Sequence, residues 1–491
     1  MASLRPGDTT HDKEYKDDQD AFLNRCEEEY GPVFNIRHIN MSLIVVSGPQ
    51  IREIFMNDDF SSGDAMDELT GLYSFFDSVR KSNMDVDNRV IHEIVRDNIS
   101  PNLPLFTPRI VEQLEKSLAK ELGDCPKNEG GKFVEKPILI LQEMVANAMA
   151  HVFVGAEIAQ SRKALDTFIL AAEDFGRMLG SGNRQNSGWR TFMNRTNYKV
   201  VNPLQTHLQT LVEASTPVLL ERRRLEAEAK EKGVGWNRPD DILQKLMDNF
   251  DKYNFVDLED VCGHLLILIL ASVHTTTDTS TNLLYYLAAF PEHLDKLYEE
   301  QQQVLDVIQA EREKERQELA KKGEPISEKL DPAHDRDLSA AAIKKMVYMD
   351  SFVREVFRFR TERLKLIHRA RKNVALSSGI LISKGSNVII NLRSAHQCPQ
   401  QGEDVTEFRP WRFVGKSKAA TKIGVDFLPF GMGRHGCPGR FLAIQELKTI
   451  GVLMVSKYSK IEIKDPSQKM KILRSYLGTS FGTGLTFTSR E

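Results

Sequence analysis

The segment that most constrains the fold is "VCGHLLILILASVHTTTDTSTNLLYYLAAF", residues 261–290. Its spacing predicts one long helix over 257–290, and the run from Leu265 to Val273 is apolar on every side. A helix without a polar face lies in the middle of a large core. The run is too short to cross a bilayer, which takes about 20 apolar residues. The rest of the chain must therefore build a thick core around this helix.

The same helix continues into a cluster of hydroxyl side chains, "HTTTDTST", at 274–281. Threonine and serine in a helix tend to bond back to carbonyl groups one turn earlier. We therefore expect a local distortion of the helix here. The hydroxyls either satisfy their own helix or serve a site, and the pattern alone leaves both interpretations open.

Length and composition agree with a single large core. The chain has 491 residues, of which 41% are hydrophobic and 27% charged, and contains no linker, repeat or low-complexity tract. We therefore predict one domain over 1–491, mainly α with small β-sheets. A formal net charge of −3 gives no reason to expect nucleic-acid binding, which favours a strongly basic face.

The predicted elements follow from hydrophobic periodicity. Residues 1–29 form a polar lead without a signal peptide or a membrane anchor, so the chain is expected to be soluble as it stands. Alternating patterns predict β-rich parts near 31–48, 366–395 and 472–489. Helical spacing predicts helices at 137–156, 163–180, 203–232, 239–250, 257–290, 292–320, 340–360 and 440–458.

The five cysteines are scattered and include no CxxC pair, so neither a disulfide framework nor a zinc site is predicted. Cys437 stands apart, because "FLPFGMGRHGCPGRF" surrounds it with glycines and then begins a helix. A helix N-terminus stabilises a thiolate, and glycines allow the backbone to approach a flat ligand. This spacing predicts a tight loop that presents one sulfur atom to a planar group. The alternative is a buried free cysteine beside a flexible turn.

These residues resemble the haem-binding signature of the cytochrome P-450 family. The resemblance implies that Cys437 is the axial ligand of haem iron, with Phe430, Gly433 and Gly439 shaping the loop. It extends from about Tyr30 to the C-terminus and implies a single-domain fold. In that fold the haem, haem b, lies between the distal helix near 257–290 and the cysteine loop and helix at 430–458.

Two further segments carry the resemblance. "REVFR" contains Glu355-x-x-Arg358, and "FRPWRF" places Arg412 where the family completes a structural Glu-Arg-Arg cluster. "ASVHTTT" is similar to the oxygen-binding part of the distal helix, with Thr275 on the family's threonine and His274 where the family commonly has an acid. His274 either delivers protons, pairs with a buried acid, or only shapes the helix.

The resemblance also assigns residues around the haem. His92 or Arg96, His368 or Arg369, and His435 are implied to neutralise the propionates, with Arg96 the preferred member of its pair. Each is equally a candidate for a solvated cation. Lys365 either meets a polar group of the substrate or lies at the surface. The implied substrate pocket consists of Phe75, Phe76, Leu270, Ala271, Lys365, Leu366, Ile367 and Phe481.

The implied reaction is monooxygenation, in which one oxygen atom of O2 enters a C–H bond of a bulky lipophilic substrate. The sequence is similar to fungal, microsomal-type members that act on steroids, terpenoids or polycyclic alkaloids. A haem-thiolate isomerase or dehydratase and a non-catalytic haem sensor are the alternatives. Turnover that depends on a reductase distinguishes the monooxygenase from both.

No reductase module is apparent, so electrons are expected from a separate NADPH–cytochrome P-450 reductase, with cytochrome b5 as a second candidate donor. The implied location is the cytosolic face of the endoplasmic reticulum membrane, if a native anchor was removed. Five cations surround the cysteine loop and form either a docking face for an acidic reductase or an ordinary solvated surface: Lys416, Lys418, Lys422, Arg434 and Arg440.

Overall fold

The computed structural model describes residues 10–38, 41–84, 89–127, 130–182, 202–325, 330–360, 363–469 and 483–490, apart from a few side chains within them. Helices dominate these ranges. The α-helices run Asp12–Asp17, Gln19–Tyr30, Gln50–Met56, Ser62–Thr70, Leu72–Phe76, Arg89–Ile94, Leu103–Leu122, Pro137–Phe153, Ala156–Ala159, Arg162–Gly182, Pro203–Glu231, Ile242–Asp248, Leu258–Ala289, Leu294–Lys322, Ala340–Lys345, Val347–Arg360, Leu392–His396 and Arg440–Lys457.

The strands form small sheets beside the helices. They are β1 Val33–His38, β2 Met41–Val46, β3 Phe60–Ser61, β4 Lys132–Val134, β5 Leu364–Ala370, β6 Val374–Ala375, β7 Leu381–Ile382, β8 Asn387–Asn391, β9 Tyr458–Ile463 and β10 Leu485–Ser489. In the largest sheet the order is β1-β2-β8-β5-β3, and β2 and β8 are parallel. A second sheet has the order β4-β10-β9, and β6 pairs with β7. The prediction of a mainly α fold with small sheets is confirmed.

The helix Leu258–Ala289, called the distal helix below, lies at the centre of the largest hydrophobic cluster. Every residue from Val261 to Leu270 is buried, as the all-round apolar pattern predicts. The helix packs against Pro137–Phe153 on one side and against the helix Arg440–Lys457, called the cysteine helix below, on another. This packing brings the two segments with the strongest sequence signals into contact.

The expected distortion of the distal helix is not seen, because the helix is continuous through the hydroxyl cluster. Its hydroxyls bond back to the preceding turn instead. The Oγ1 of Thr275 donates to the carbonyl of Ala271 at 2.7 Å, and that of Thr279 donates to the carbonyl of Thr275 at 2.8 Å. Each hydroxyl shares a carbonyl that already accepts a helical N–H, so the helix remains regular.

The structure differs from the predicted helices in three other places. The predicted helix 340–360 is two helices, because Met346 takes an extended conformation between Ala340–Lys345 and Val347–Arg360. The polar lead contains the helices Asp12–Asp17 and Gln19–Tyr30. The periodicity also missed Leu103–Leu122, which carries Pro108 inside the helix.

Among the described residues, the distal helix is long and apolar enough to cross a membrane by length and composition. Two thirds of its most apolar window, 67%, is buried inside the protein. Its surroundings make it a core helix.

Candidate active site

The cysteine loop is built on glycines with left-handed backbone conformations. Gly431 has φ +66° and Gly433 has φ +63°, which L-residues with side chains rarely adopt. A Cβ on Gly436 would come within 2.9 Å of Cδ1 of Ile423. The backbone N–H of Cys437 donates to the carbonyl of Phe430 at 2.7 Å and closes the loop. The loop thus fixes the position of the half-buried Cys437 just before the cysteine helix.

The environment of Cys437 acts on its thiol in two directions. Burial raises its pKa, while the N–H groups of Gly439 and Arg440 and the charge of Arg440 lower it in part, with a net rise. The helix N-terminus alone therefore does not hold the thiolate. A metal cation bound at the sulfur would favour the thiolate and would supply the missing stabilisation.

Glu355, Arg358 and Arg412 form one buried cluster. Arg358 donates to both carboxylate oxygens of Glu355, at 2.7 and 2.8 Å, and Nε of Arg412 lies 3.0 Å from one of them. The guanidinium groups also donate to backbone carbonyls, among them those of Val405 and Glu407. The cluster therefore ties the helix Val347–Arg360 to the segment that leads into the cysteine loop.

Sequence reasoning missed Arg354, which stands beside Glu355. It is 1% exposed, and its guanidinium lies over the ring of Phe427 at 3.7 Å from the centroid. One of its amino groups donates to the carbonyls of Ala419 and Lys422. Burial lowers its pKa to about 10. A second arginine next to the Glu-x-x-Arg pair was the only available signal.

The distal helix presents one accessible patch in an otherwise buried stretch. Ala271 and Thr275 are exposed although neighbouring Leu270 and Val273 are buried. His274 belongs to the same patch, and its Nε2 lies 3.7 Å from a carboxylate oxygen of Asp278. An acid, Asp278, thus stands one turn after His274. The family pattern places the acid directly before the threonine, so the sequence comparison did not single out Asp278.

The candidate propionate cations lie in different surroundings. Nε of Arg96 donates to Asp97 at 2.7 Å, and the Arg96 side chain is 69% exposed, whereas His92 is half-buried. Arg369 forms an ion pair with Glu68.

His368 lies on the inner side of β5. It is buried, and its ring meets that of Phe55 edge-on at 4.9 Å between centroids. Phe55 also borders the cysteine loop, because a Cβ on Gly433 would lie 3.4 Å from the Phe55 carbonyl. His368 is therefore linked to the cysteine loop through Phe55, whereas the side chain of Arg369 is engaged by Glu68. The side chain of His435 lies outside the described residues.

The predicted pocket residues are only partly brought together. Phe75, Phe76 and Leu270 belong to the largest cluster, and the two phenyl rings lie 5.8 Å apart. A bulge in β5 interrupts its pairing with β8 between Lys365 and His368.

Within the bulge, neighbouring side chains diverge. Leu366 has φ +59° and packs against the hydrophobic cluster that contains Phe55 and Met432. Ile367 packs instead against the cluster around Phe22 and Phe34, and Lys365 is exposed. Phe481 lies outside the described residues.

The residues present fit a haem group. The loop glycines carry no side chains that would cover Cys437, burial raises the pKa of its thiol, and the ring of Phe430 lies 5.1 Å from that of Phe357 in a tilted arrangement. A small residue and a hydroxyl are exposed on the distal helix, in the middle of the core. A soft thiolate ligand in such an apolar setting suits haem iron.

The five basic residues around the loop differ in their partners. Arg434 pairs with Asp58 at 2.6 Å, Lys418 pairs with Asp426 at 2.7 Å, and Arg440 donates to the carbonyl of Cys437 at 2.9 Å. Lys416 and Lys422 are exposed, and in the described ranges neither forms an ion pair.

Comparison with known proteins agrees with this geometry. The family Cytochrome P-450 matches residues 10–481. The chain is 24% identical over 475 residues to cytochrome P-450 monooxygenase 151 of Postia placenta, covering 92% of this chain and 85% of that one. It is 25% identical over 445 residues to cytochrome P-450 monooxygenase olcJ of Penicillium canescens, covering 87% and 75% of the two chains. The protein therefore belongs to the cytochrome P-450 family and is a monooxygenase of that family.

Proposed function

We propose that the protein is a haem-thiolate monooxygenase that inserts one oxygen atom of O2 into a C–H bond of a bulky lipophilic substrate. The observation that carries this proposal is the cysteine loop, in which left-handed glycines fix Cys437 at the start of a buried helix. Bound haem supplies the activation of dioxygen. The remaining tasks fall to the chain's own side chains.

Holding the haem is the first of these tasks. Sγ of Cys437 would bind the iron, with Phe430, Gly433 and Gly439 lining the loop. Among the cations, the half-buried or buried positions of His92 and His368 support a role at the propionates. Arg96, Arg369 and His435 are proposed for the same role from the family resemblance. A positive or hydrogen-bonding group beside a carboxylate is the expected arrangement at a buried anionic edge.

Proton delivery is the second task, and Thr275 and His274 are the proposed residues. The Thr275 hydroxyl donates its single hydrogen to the Ala271 carbonyl in this structure, so its oxygen can accept a hydrogen bond, and rotation of the hydroxyl would let it donate to a bound group instead. Nε2 of His274 lies 3.7 Å from a carboxylate oxygen of Asp278, so a second proton-carrying side chain stands one turn away, which supports a role of His274 in proton supply.

The substrate class follows from the apolar lining. Phe75, Phe76, Leu270 and Leu366 offer aromatic and aliphatic surface, and Ala271 leaves space on the distal helix. Such a pocket favours a rigid polycyclic molecule, and we propose a steroid, terpenoid or polycyclic alkaloid. The exposure of Lys365 supports a surface position for this residue.

The electron donor is the remaining component. We propose a separate NADPH–cytochrome P-450 reductase, with cytochrome b5 as a further donor, on the face that carries Lys416 and Lys422. This partner would place the protein at the cytosolic face of the endoplasmic reticulum membrane. Exposed cations steer an acidic partner and raise its association rate.

The ligand assignment is tested by optical spectroscopy of the purified haem protein. Cys437→Ser should abolish the absorption spectrum of a thiolate ligand, because an alcohol does not replace the soft sulfur donor. The matched control is Cys398→Ser, at another half-buried free cysteine, which should keep the spectrum. An unchanged spectrum in Cys437→Ser would contradict the proposal.

Thr275→Val tests the proton path, because valine keeps the shape and removes the hydroxyl. With the reductase present, we expect a lower ratio of product formed to NADPH consumed, by about tenfold or more. Thr279→Val removes a hydroxyl with the same back-bond one turn later and should keep the ratio. Product formation without NADPH would favour an isomerase or dehydratase instead.

A further inference from the structure

A cavity of about 510 Å³ lies beside the cysteine loop and is lined by Arg52, Arg354, Lys418, residues 422–426 and residues 432–433. Four cations line it, Arg52, Arg354, Lys418 and Lys422, against one acid, Asp426. The lining therefore carries a formal excess of three positive charges.

Asp426 is the acid among the lining residues, and its charge acts on both Lys418 and Arg354. Asp426 forms an ion pair with Lys418, with 2.7 Å between Nζ and a carboxylate oxygen. Within the described part of the chain, Arg52, Arg354 and Lys422 have no carboxylate at ion-pair distance. One carboxylate among four cations leaves the lining net positive, so the cluster is stabilised when an anion binds between the cations.

Arg354 makes this cavity more than a basic surface. It is 1% exposed, and its Nε is buried with no hydrogen-bond partner among the described residues. A buried donor without an acceptor costs about 1–3 kcal/mol, more for a charged group. The rings of Phe427 and Phe413 hold the guanidinium in place at 3.7 and 4.8 Å. The arginine is thus a fixed donor at a cavity wall.

We propose that this cavity binds a small phosphate-type oxyanion, either free phosphate or the phosphate group of a small metabolite. Arg354 supplies the fixed guanidinium, and Arg52 and Lys422 close on the anion from the exposed rim. Planar guanidinium donors match the oxygen spacing of a phosphate. Met432 and Gly433 of the cysteine loop also line the cavity, so the anion binds beside the loop.

A small anion fits the site better than an acidic side chain of a protein partner. Arg354 is buried, and a protein surface that docks on the rim would reach Lys422 and Arg52 before it. The cavity is also large enough for a phosphate with an attached organic group. Apart from Gly433, none of the described residues proposed to hold the haem lines this cavity, so the inference goes beyond the proposed monooxygenase reaction.

The test is calorimetric titration of the haem-loaded protein with inorganic phosphate, against sodium chloride at matched ionic strength. We expect saturable binding at one site. Arg52→Gln and Lys422→Gln should each weaken phosphate binding about tenfold, the loss of one charge-assisted hydrogen bond. Lys416→Gln is the control, because it removes the same charge from an exposed lysine that does not line the cavity.

Each outcome decides the proposal. Heat that does not saturate, or an equal loss in Lys416→Gln, shows only general ionic attraction and overturns it. Failure to bind phosphate, together with binding of an acidic peptide that Lys422→Gln abolishes, assigns the cavity to a protein partner and also overturns it. The haem spectrum of every variant should be unchanged, so failure here leaves the monooxygenase proposal intact.

Discussion

At the scale of single residues, the most unusual group is Glu446 on the cysteine helix. It is fully buried, and both of its carboxyl oxygens lack a hydrogen-bond partner among the described residues. Burial raises its pKa from 4.5 to about 8. The folded protein therefore holds this proton at neutral pH, whereas the unfolded chain releases it.

This difference predicts a pH-dependent stability. Between about pH 4.5 and pH 8 the folded state binds more protons than the unfolded state, so the free energy of unfolding falls as pH rises. The slope from this group is at most about 1.4 kcal/mol per pH unit. Glu446→Gln should flatten the dependence, measured by urea unfolding at several pH values.

An exposed glutamate is the control for this prediction. Glu112→Gln changes a side chain that is 56% exposed, and its free energy of unfolding should depend on pH as that of the wild type does. A Glu446→Gln variant with the same pH dependence as the wild type would show that this carboxyl is ionised in the folded protein.

At the scale of secondary-structure elements, two glycines inside helices have different surroundings. A Cβ on Gly263 of the distal helix would overlap the carbonyl oxygen of Val79, a backbone atom. A Cβ on Gly451 of the cysteine helix would meet Sδ of Met349 at 2.8 Å and Cδ2 of Leu283 at 3.3 Å. Backbone cannot yield without moving its whole segment, whereas the end of a methionine side chain can turn away.

The same substitution should therefore have unlike effects in the two helices. Gly263→Ala should lower the free energy of unfolding by about 3 kcal/mol, because the backbone near Val79 must move away from the distal helix to make room for the methyl group. Gly451→Ala should change it by less than about 1 kcal/mol, because repacking of Met349 offsets the better helix propensity of alanine. Urea unfolding measures both, and equal losses would contradict the close packing at Gly263.

At the scale of the whole molecule, the Glu355 cluster joins distant segments. It holds the helix Val347–Arg360 to Arg412 and to the carbonyls that precede the cysteine loop. Removing the charge of Glu355 leaves two buried guanidinium groups facing each other. We expect Glu355→Gln to lower the free energy of unfolding by at least about 3 kcal/mol and to reduce the fraction of protein that retains haem.

The measurement is urea unfolding together with the haem absorbance per protein. Glu407→Gln is the matched control, because its side chain is 63% exposed, although its backbone carbonyl belongs to the same network. Full haem retention and unchanged stability in Glu355→Gln would mean that the backbone contacts alone hold the loop.

The sequence by itself determined the features that depend on neighbours along the chain. The apolar run of the distal helix predicted its central position, and glycines around Cys437 predicted a tight loop before a helix. Hydrophobic periodicity placed the long helices to within a few residues, because each turn is formed by residues three and four apart. It failed for Leu103–Leu122, because Pro104 and Pro108 look like helix breakers. Pro104 is tolerated in the first turn, where its missing N–H has no helical partner.

Only the tertiary structure decided which partners the charged side chains meet. The pairing of Arg369 with Glu68 joins residues about 300 positions apart, and no local pattern contains it. The burial of Arg354 and Glu446, the direction of Ile367 away from Leu366, and the cavity beside the cysteine loop were likewise outside the reach of the sequence. Burial and long-range ion pairs depend on how elements pack in space, whereas periodicity reports only which face of an element is apolar.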